Sequence, residues 1–148
     1  MHKRINIIFY SLFVIYLILG IILSINTGVS HDELHEQTTW QVNLKAIKSF
    51  FVDNNGYEEL LVYKDRYFGI AFHLLTQPIQ FLTYEFVSDI NKMSDNDAYL
   101  VSRHISFFTI FTISGIFFYK LCLKISNNSS FSLFSSSIYL LYPYLFGH

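Results

Sequence analysis

"INIIFYSLFVIYLILGIILSI", residues 5–25, decides the fold. These 21 residues carry no charge, and as a helix rising 1.5 Å per residue they extend roughly 31 Å, the thickness of a bilayer's hydrocarbon core. His2, Lys3 and Arg4 stand immediately before them. A secretory signal also begins with a basic cluster, but its apolar region is shorter and closes on small residues, whereas this run continues through Ile21, Ile22 and Leu23. The stretch reads as a membrane-spanning helix.

The rest of the 148-residue chain agrees with that reading. It is 52% hydrophobic and 19% aromatic but only 14% charged, which is low for a soluble domain of this size. All eleven acidic residues fall between Asp32 and Asp97, where they outnumber five Lys or Arg for a local net charge of −6. A polar compartment therefore separates the first apolar run from two later ones, "HISFFTIFTISGIFFY" at 104–119, with flanks reaching Leu123, and "FSLFSSSIYLLYPYLFG" at 131–147. Between those two lie Lys120 and Lys124 and no acid. The single cysteine, Cys122, excludes a disulfide framework and a Cys-based zinc site. The chain shows no repeat, no glycine-rich phosphate loop and no basic stripe, so nucleic acid is not an expected partner.

Residues 67–87, "YFGIAFHLLTQPIQFLTYEFV", have the length of a span but contain His73, Gln77, Pro78, Gln80 and Glu85, each of which would need a partner inside lipid. Charge settles their placement. With this stretch on the surface, Lys3 and Arg4 fall on the same side as Lys120 and Lys124, which obeys the positive-inside tendency. The expected architecture is an all-α membrane protein with three spans, near 5–25, 102–123 and 131–147. Its N-terminus is cytoplasmic, its membrane is the plasma (inner) membrane, and a long external loop at 26–101 carries interfacial helices against membrane lipid.

Within that loop, Ser30 to Glu33 fits a capping box, in which hydroxyl and carboxylate satisfy the first free N–H groups of a helix. Trp40, Leu44, Ile47 and Phe51 follow at spacings of 4, 3 and 4, an apolar stripe suited to packing. "DNNG" at 53–56 reads as a turn, and "SDNDAY" at 94–99 as a loop with solvated acids leading into the second span.

"SHDELHEQTTW", residues 30–40, places four ionisable side chains just beyond the first span. On a helix His31 and His35 share one face, and Asp32 and Glu36 another. Three readings are open. Asp32 and Glu33 in the first turn meet the positive end of the helix dipole and could serve as capping groups. They could carry carboxylate chemistry at the membrane edge. Alternatively "HDELH" echoes the zincin pattern H-E-x-x-H, with Asp in place of the Glu base and His31 and His35 as metal ligands.

The wider order of features resembles the N-terminal portion of the GT-C glycosyltransferases, the polytopic enzymes that include protein O-mannosyltransferases and aminoarabinose transferases. The resemblance is carried by Asp32, Glu33 and His35 directly after the first span; "YFGIAFHLL" at 67–75; Tyr99, Arg103 and His104 leading into the second span; and Pro143, Phe146, Gly147 and His148 closing the third. "YFGIAFHLL" lacks the proline-rich opening of many members, and His31 before the Asp departs from the pattern. Members have many more spans, so the resemblance implies that these 148 residues are an N-terminal fragment, inactive alone.

The resemblance implies transfer of a sugar from a polyprenyl-phosphate donor to an acceptor hydroxyl at the outer membrane face. Asp32 would be the base that takes the acceptor's proton, or a ligand for a divalent metal ion in members that use one, with Glu33 positioning it. Arg103, whose forked guanidinium suits phosphate oxygens, would bind substrate together with His104 and His35; the other reading of Arg103 is an interfacial anchor that snorkels to headgroups. Two further classes are open: a non-catalytic membrane subunit that binds a partner through its acidic loop, and a membrane metal site built on His31 and His35.

Overall fold

The computed structural model describes residues 2–26, 31–52, 57–91 and 94–141, with the side chains of residues 2, 3, 31, 32, 90 and 91 outside the description. Every regular element among the described residues is a helix: α1 (His2–Asn26), α2 (His31–Val52), α3 (Tyr57–Val62), α4 (Ala71–Asn91), α5 (Asp95–Ser126) and α6 (Ser129–Leu141). Two of them, α1 and α5, are long and apolar enough to cross a bilayer. The 13 residues of α6 extend roughly 20 Å, less than a bilayer core. Residues 142–148, which complete the expected third span, lie outside the described residues.

The head of α5 corrects one expectation. "SDNDAY" is not a loop: the helix begins at Asp95, well before the expected start of the span. The Ser94 hydroxyl accepts a hydrogen bond from the Asp97 amide at 3.2 Å, an N-cap that satisfies one free donor of the first turn, and donates to the Asp97 carboxylate at 2.7 Å. Asp95 and Asp97 also meet the positive dipole end there, and Lys124 lies in the last turn. At the other end Asn127 takes the left-handed conformation (φ 48°), which Asn tolerates better than most residues. Asn128 then caps α6, its side-chain oxygen accepting from the Ser130 and Phe131 amides at 3.0 and 3.2 Å. The corresponding cap expected at Ser30, and the "DNNG" turn at 53–56, fall outside the described residues.

The chain divides into two units, one formed by Met1–Thr27 with Val101–His148 and the other by Gly28–Leu100. In the first, small polar side chains are buried beside an apolar cluster of Phe9, Phe13, Tyr119 and Leu140. Small and polar side chains, among them Ser102, Ser106, Thr112, Ser132 and Ser136, are fully buried, while Ile15, Leu19, Leu23, Phe117 and Ile125 face outward. Small residues at helix contacts with large apolar ones outside are what packing in lipid favours, because lipid gives apolar surface no reason to hide. Gly20 and Gly115 let Phe108 and Leu140 come closer than any Cβ would permit. Hydrogen bonds join distant segments: Tyr16 donates to the Leu140 carbonyl, and Tyr119 donates to the Asn6 side-chain oxygen, both at 2.6 Å. Phe9 stacks on Tyr119 with ring centroids 3.9 Å apart.

In the second unit, α2 runs antiparallel to α3 and the turn after it. Lys45 pairs with Glu59, Thr39 with Tyr63 and His35 with Asp65, so contacts descend α2 as they ascend the partner. This pairing rotates the α2 stripe away from its expected place. Trp40 is buried and Leu44 half-buried, but Ile47 and Phe51 are exposed, and the inward positions are instead Thr39, Val42 and Ala46. Helix α4 holds Pro78 in its interior, where the ring deprives the helix of one amide donor.

Candidate functional site

The head of α2 carries the expected reactive residues. Its backbone is helical from His31, so "HDELH" occupies the first turns and presents 31 and 35 on one face, as the spacing requires. The side chains of His31 and Asp32, and with them the expected base and metal ligand, lie outside the description. Glu33 is half-buried and Glu36 exposed.

His35 shows a pairing that spacing could not indicate. Its Nε2 stands 3.0 Å from the Asp65 carboxylate, with the His35 side chain 60% exposed and that of Asp65 17% exposed. The contact is an ion pair only when the imidazole carries its second proton. Asp65 is held in turn by its own loop. The Phe68 amide donates to the Asp65 carbonyl at 3.0 Å, and the Arg66 amide to the Tyr63 carbonyl at 3.3 Å. Tyr63 itself is tied to α2: its hydroxyl lies 2.9 Å from Thr39 Oγ1, which also bonds the His35 carbonyl at 3.1 Å. The result is an exposed imidazole, oriented by a carboxylate on a braced turn. Such a pair can accept or deliver a proton. One turn further along α2, Trp40 stacks on His73 with centroids 5.7 Å apart and an interplanar angle of 14°, which makes His73 a packing residue.

Arg103 and His104 belong to the other unit. Arg103 is only 3% exposed, and its guanidinium carbon lies 5.2 Å from the centre of the Phe107 ring one turn on. A side chain snorkelling to headgroup water would be exposed, so the anchor reading of Arg103 does not fit its burial. His104 is half-buried, and His148 lies outside the described residues. Among the described residues no three metal-ligating side chains come together. The chain matches no family model, no curated protein and no solved structure.

Proposed function

We propose that the chain forms the N-terminal membrane part of a GT-C-type glycosyltransferase that moves a sugar from a polyprenyl-phosphate donor to an acceptor hydroxyl at the outer membrane face. The observation that carries this reading is the juxtaposition at the head of α2. A bilayer-length apolar helix ends at Asn26, and within a few residues a second helix opens on Asp32, Glu33 and His35, with Asp65 brought to His35 from a distant turn.

The chemistry needs those groups. As the acceptor oxygen forms its bond to the anomeric carbon, the bond from that carbon to the phosphate oxygen breaks and its electron pair leaves with the polyprenyl phosphate. The acceptor proton goes to a carboxylate or imidazole at the membrane edge. By the resemblance Arg103 would bind the phosphate, because a guanidinium suits phosphate oxygens. In this reading the N-terminus is cytoplasmic, and a third span lies near residues 131–147.

The test is release of polyprenyl phosphate, dependent on acceptor, by the purified intact enzyme in lipid. Turnover abolished by Asp32→Asn with unchanged expression supports the reading. An intact protein that binds no polyprenyl-phosphate sugar sinks it.

A further inference from the structure

Residues 57–68, α3 with the turn that follows it, lie along α2 as a strap that adds little to any core. No residue of α3 is buried, and Leu61, Val62, Tyr67 and Phe68 stand 60–82% exposed. Three rungs tie the strap to α2, and all three are polar: Lys45 to Glu59, Thr39 to Tyr63 and His35 to Asp65. Ionisable pairs this near to solvent hold weakly. An element so attached opens more readily than one anchored by buried apolar side chains.

The strap is braced within itself and unpacked at one end. The Tyr63 amide donates to the Leu60 carbonyl at 3.2 Å, Arg66 Nη1 donates to the Tyr63 carbonyl at 3.3 Å, and the Arg66 guanidinium lies 4.6 Å from the centre of the Tyr67 ring. These bonds let it move as one piece. Gly69 follows at once, and a Cβ there would meet no atom within 4 Å, so the chain turns in open space. Beneath the strap, Val42 and Ala46 stand three and seven residues beyond Thr39 and share its face of α2; all three are buried. Trp40 belongs to another face, where it stacks on His73 of α4.

We propose that residues 57–68 form a lid that pivots at Gly69, is latched by the three polar rungs, and opens without unfolding the helices beneath it. Closed, it holds Asp65 against His35 and covers Thr39, Val42 and Ala46. Open, it parts the imidazole from its carboxylate and bares the face of α2 from His35 to Ala46, roughly 17 Å long. The His35–Asp65 pair therefore belongs to the closed state alone. The packing of α2 on α4 stays shut, because it rests on Trp40, which is buried, and not on the rungs. The lid is a property of this unit whether or not the chain transfers a sugar.

The intact chain in detergent, with Cys122→Ser as background, tests this. Ala46→Cys, and Val42→Cys as a second reporter, are reacted with neutral monobromobimane, and their rates are taken relative to Phe51→Cys, an exposed position on the same helix. Labelling at 46 should be slow. Glu59→Gln should accelerate it about 1.5-fold to fivefold and Tyr63→Phe about twofold to tenfold, with the two factors multiplying in the double variant. Gly69→Ala, which meets nothing in the closed lid, should slow it about twofold to fivefold by restricting the pivot. Trp40 is the chain's single tryptophan, and its emission should stay constant in every variant. Rates at 42 and 46 that ignore both Glu59→Gln and Tyr63→Phe overturn the proposal, since the rungs would not be the latch. Acceleration accompanied by red-shifted Trp40 emission also overturns it, because the whole unit would then be opening. A Gly69→Ala rate equal to or above that of the parent overturns the pivot.

Discussion

Gly20 of α1 lies so close to the Phe108 ring of α5 that a Cβ built on it would stand 1.9 Å from the ring's outermost carbon. Phe108 is in turn confined by Tyr16, whose ring centroid is 5.3 Å away. On an exposed helix surface, Gly→Ala gains up to about 1 kcal/mol. Here the sign reverses: Gly20→Ala is expected to destabilise the first unit by about 1–3 kcal/mol, as overpacking does. Thermal unfolding in detergent measures it. Phe108→Leu should rescue Gly20→Ala, and Ile18→Ala, on the outward face of α1, should change stability by less than about 0.5 kcal/mol. A neutral Gly20→Ala would mean that the two helices do not meet at this point.

The bond from Tyr119 to Asn6 links α5 to the first turns of α1. Hydrogen bonds between helices in lipid average about 0.6 kcal/mol and reach about 1.7 kcal/mol. Tyr119→Phe should fall in that range, since it keeps the ring stacked on Phe9 and removes only the hydroxyl. Asn6→Leu should cost much less when added to Tyr119→Phe than it does alone, because both act on one bond. Full additivity in the double-mutant cycle would rule the bond out.

Ser94→Ala should fray the head of α5, at a cost on the order of 1 kcal/mol. Ser94→Thr, which keeps both the acceptor for the Asp97 amide and the donor to its carboxylate, should be close to neutral. Hydrogen exchange at the amides of residues 96–98 reads the difference directly. Equal protection in the wild type and Ser94→Ala would show that the acidic first turn, not the hydroxyl, starts the helix.

These sites differ in how much of them the sequence discloses. The helix over residues 5–25 is legible because one uninterrupted apolar run of bilayer length is a local pattern. The helical phase of "HDELH" is legible because spacing four is a local property. The start of α5 was hidden by its composition: Ser, Asp and Asn favour loops and helix caps alike, and only the Ser94–Asp97 geometry separates the two. The His35–Asp65 pair was hidden for another reason. Thirty residues separate the partners, and the antiparallel course of α2 against α3 that unites them has no signature in either segment. The same packing decides which face of α2 is buried, so a stripe counted from Trp40 through Phe51 misses that Thr39 and Ala46 turn inward.

The head of α2 now offers two proton acceptors, and substitutions can separate them. If Asp32 is the base, Asp32→Asn in the intact enzyme removes the carboxylate while keeping a good capping side chain, and turnover should fall roughly 10²-fold to 10⁴-fold. Ser30→Ala should do the reverse, weakening the helix start by about 1 kcal/mol with turnover of the surviving protein nearly intact. If His35 is the base, Asp65, 3.0 Å from its Nε2, would act with it as a unit. His35→Gln and Asp65→Asn should therefore lower turnover by similar factors, and the double variant by no more than either alone. A drop confined to Asp32→Asn would make the His35–Asp65 contact a structural brace between α2 and its neighbouring turn. A drop confined to His35→Gln and Asp65→Asn would make the imidazole the base and leave Asp32 as a helix cap. Normal transfer by all three variants, at normal expression, would remove proton chemistry from this helix altogether.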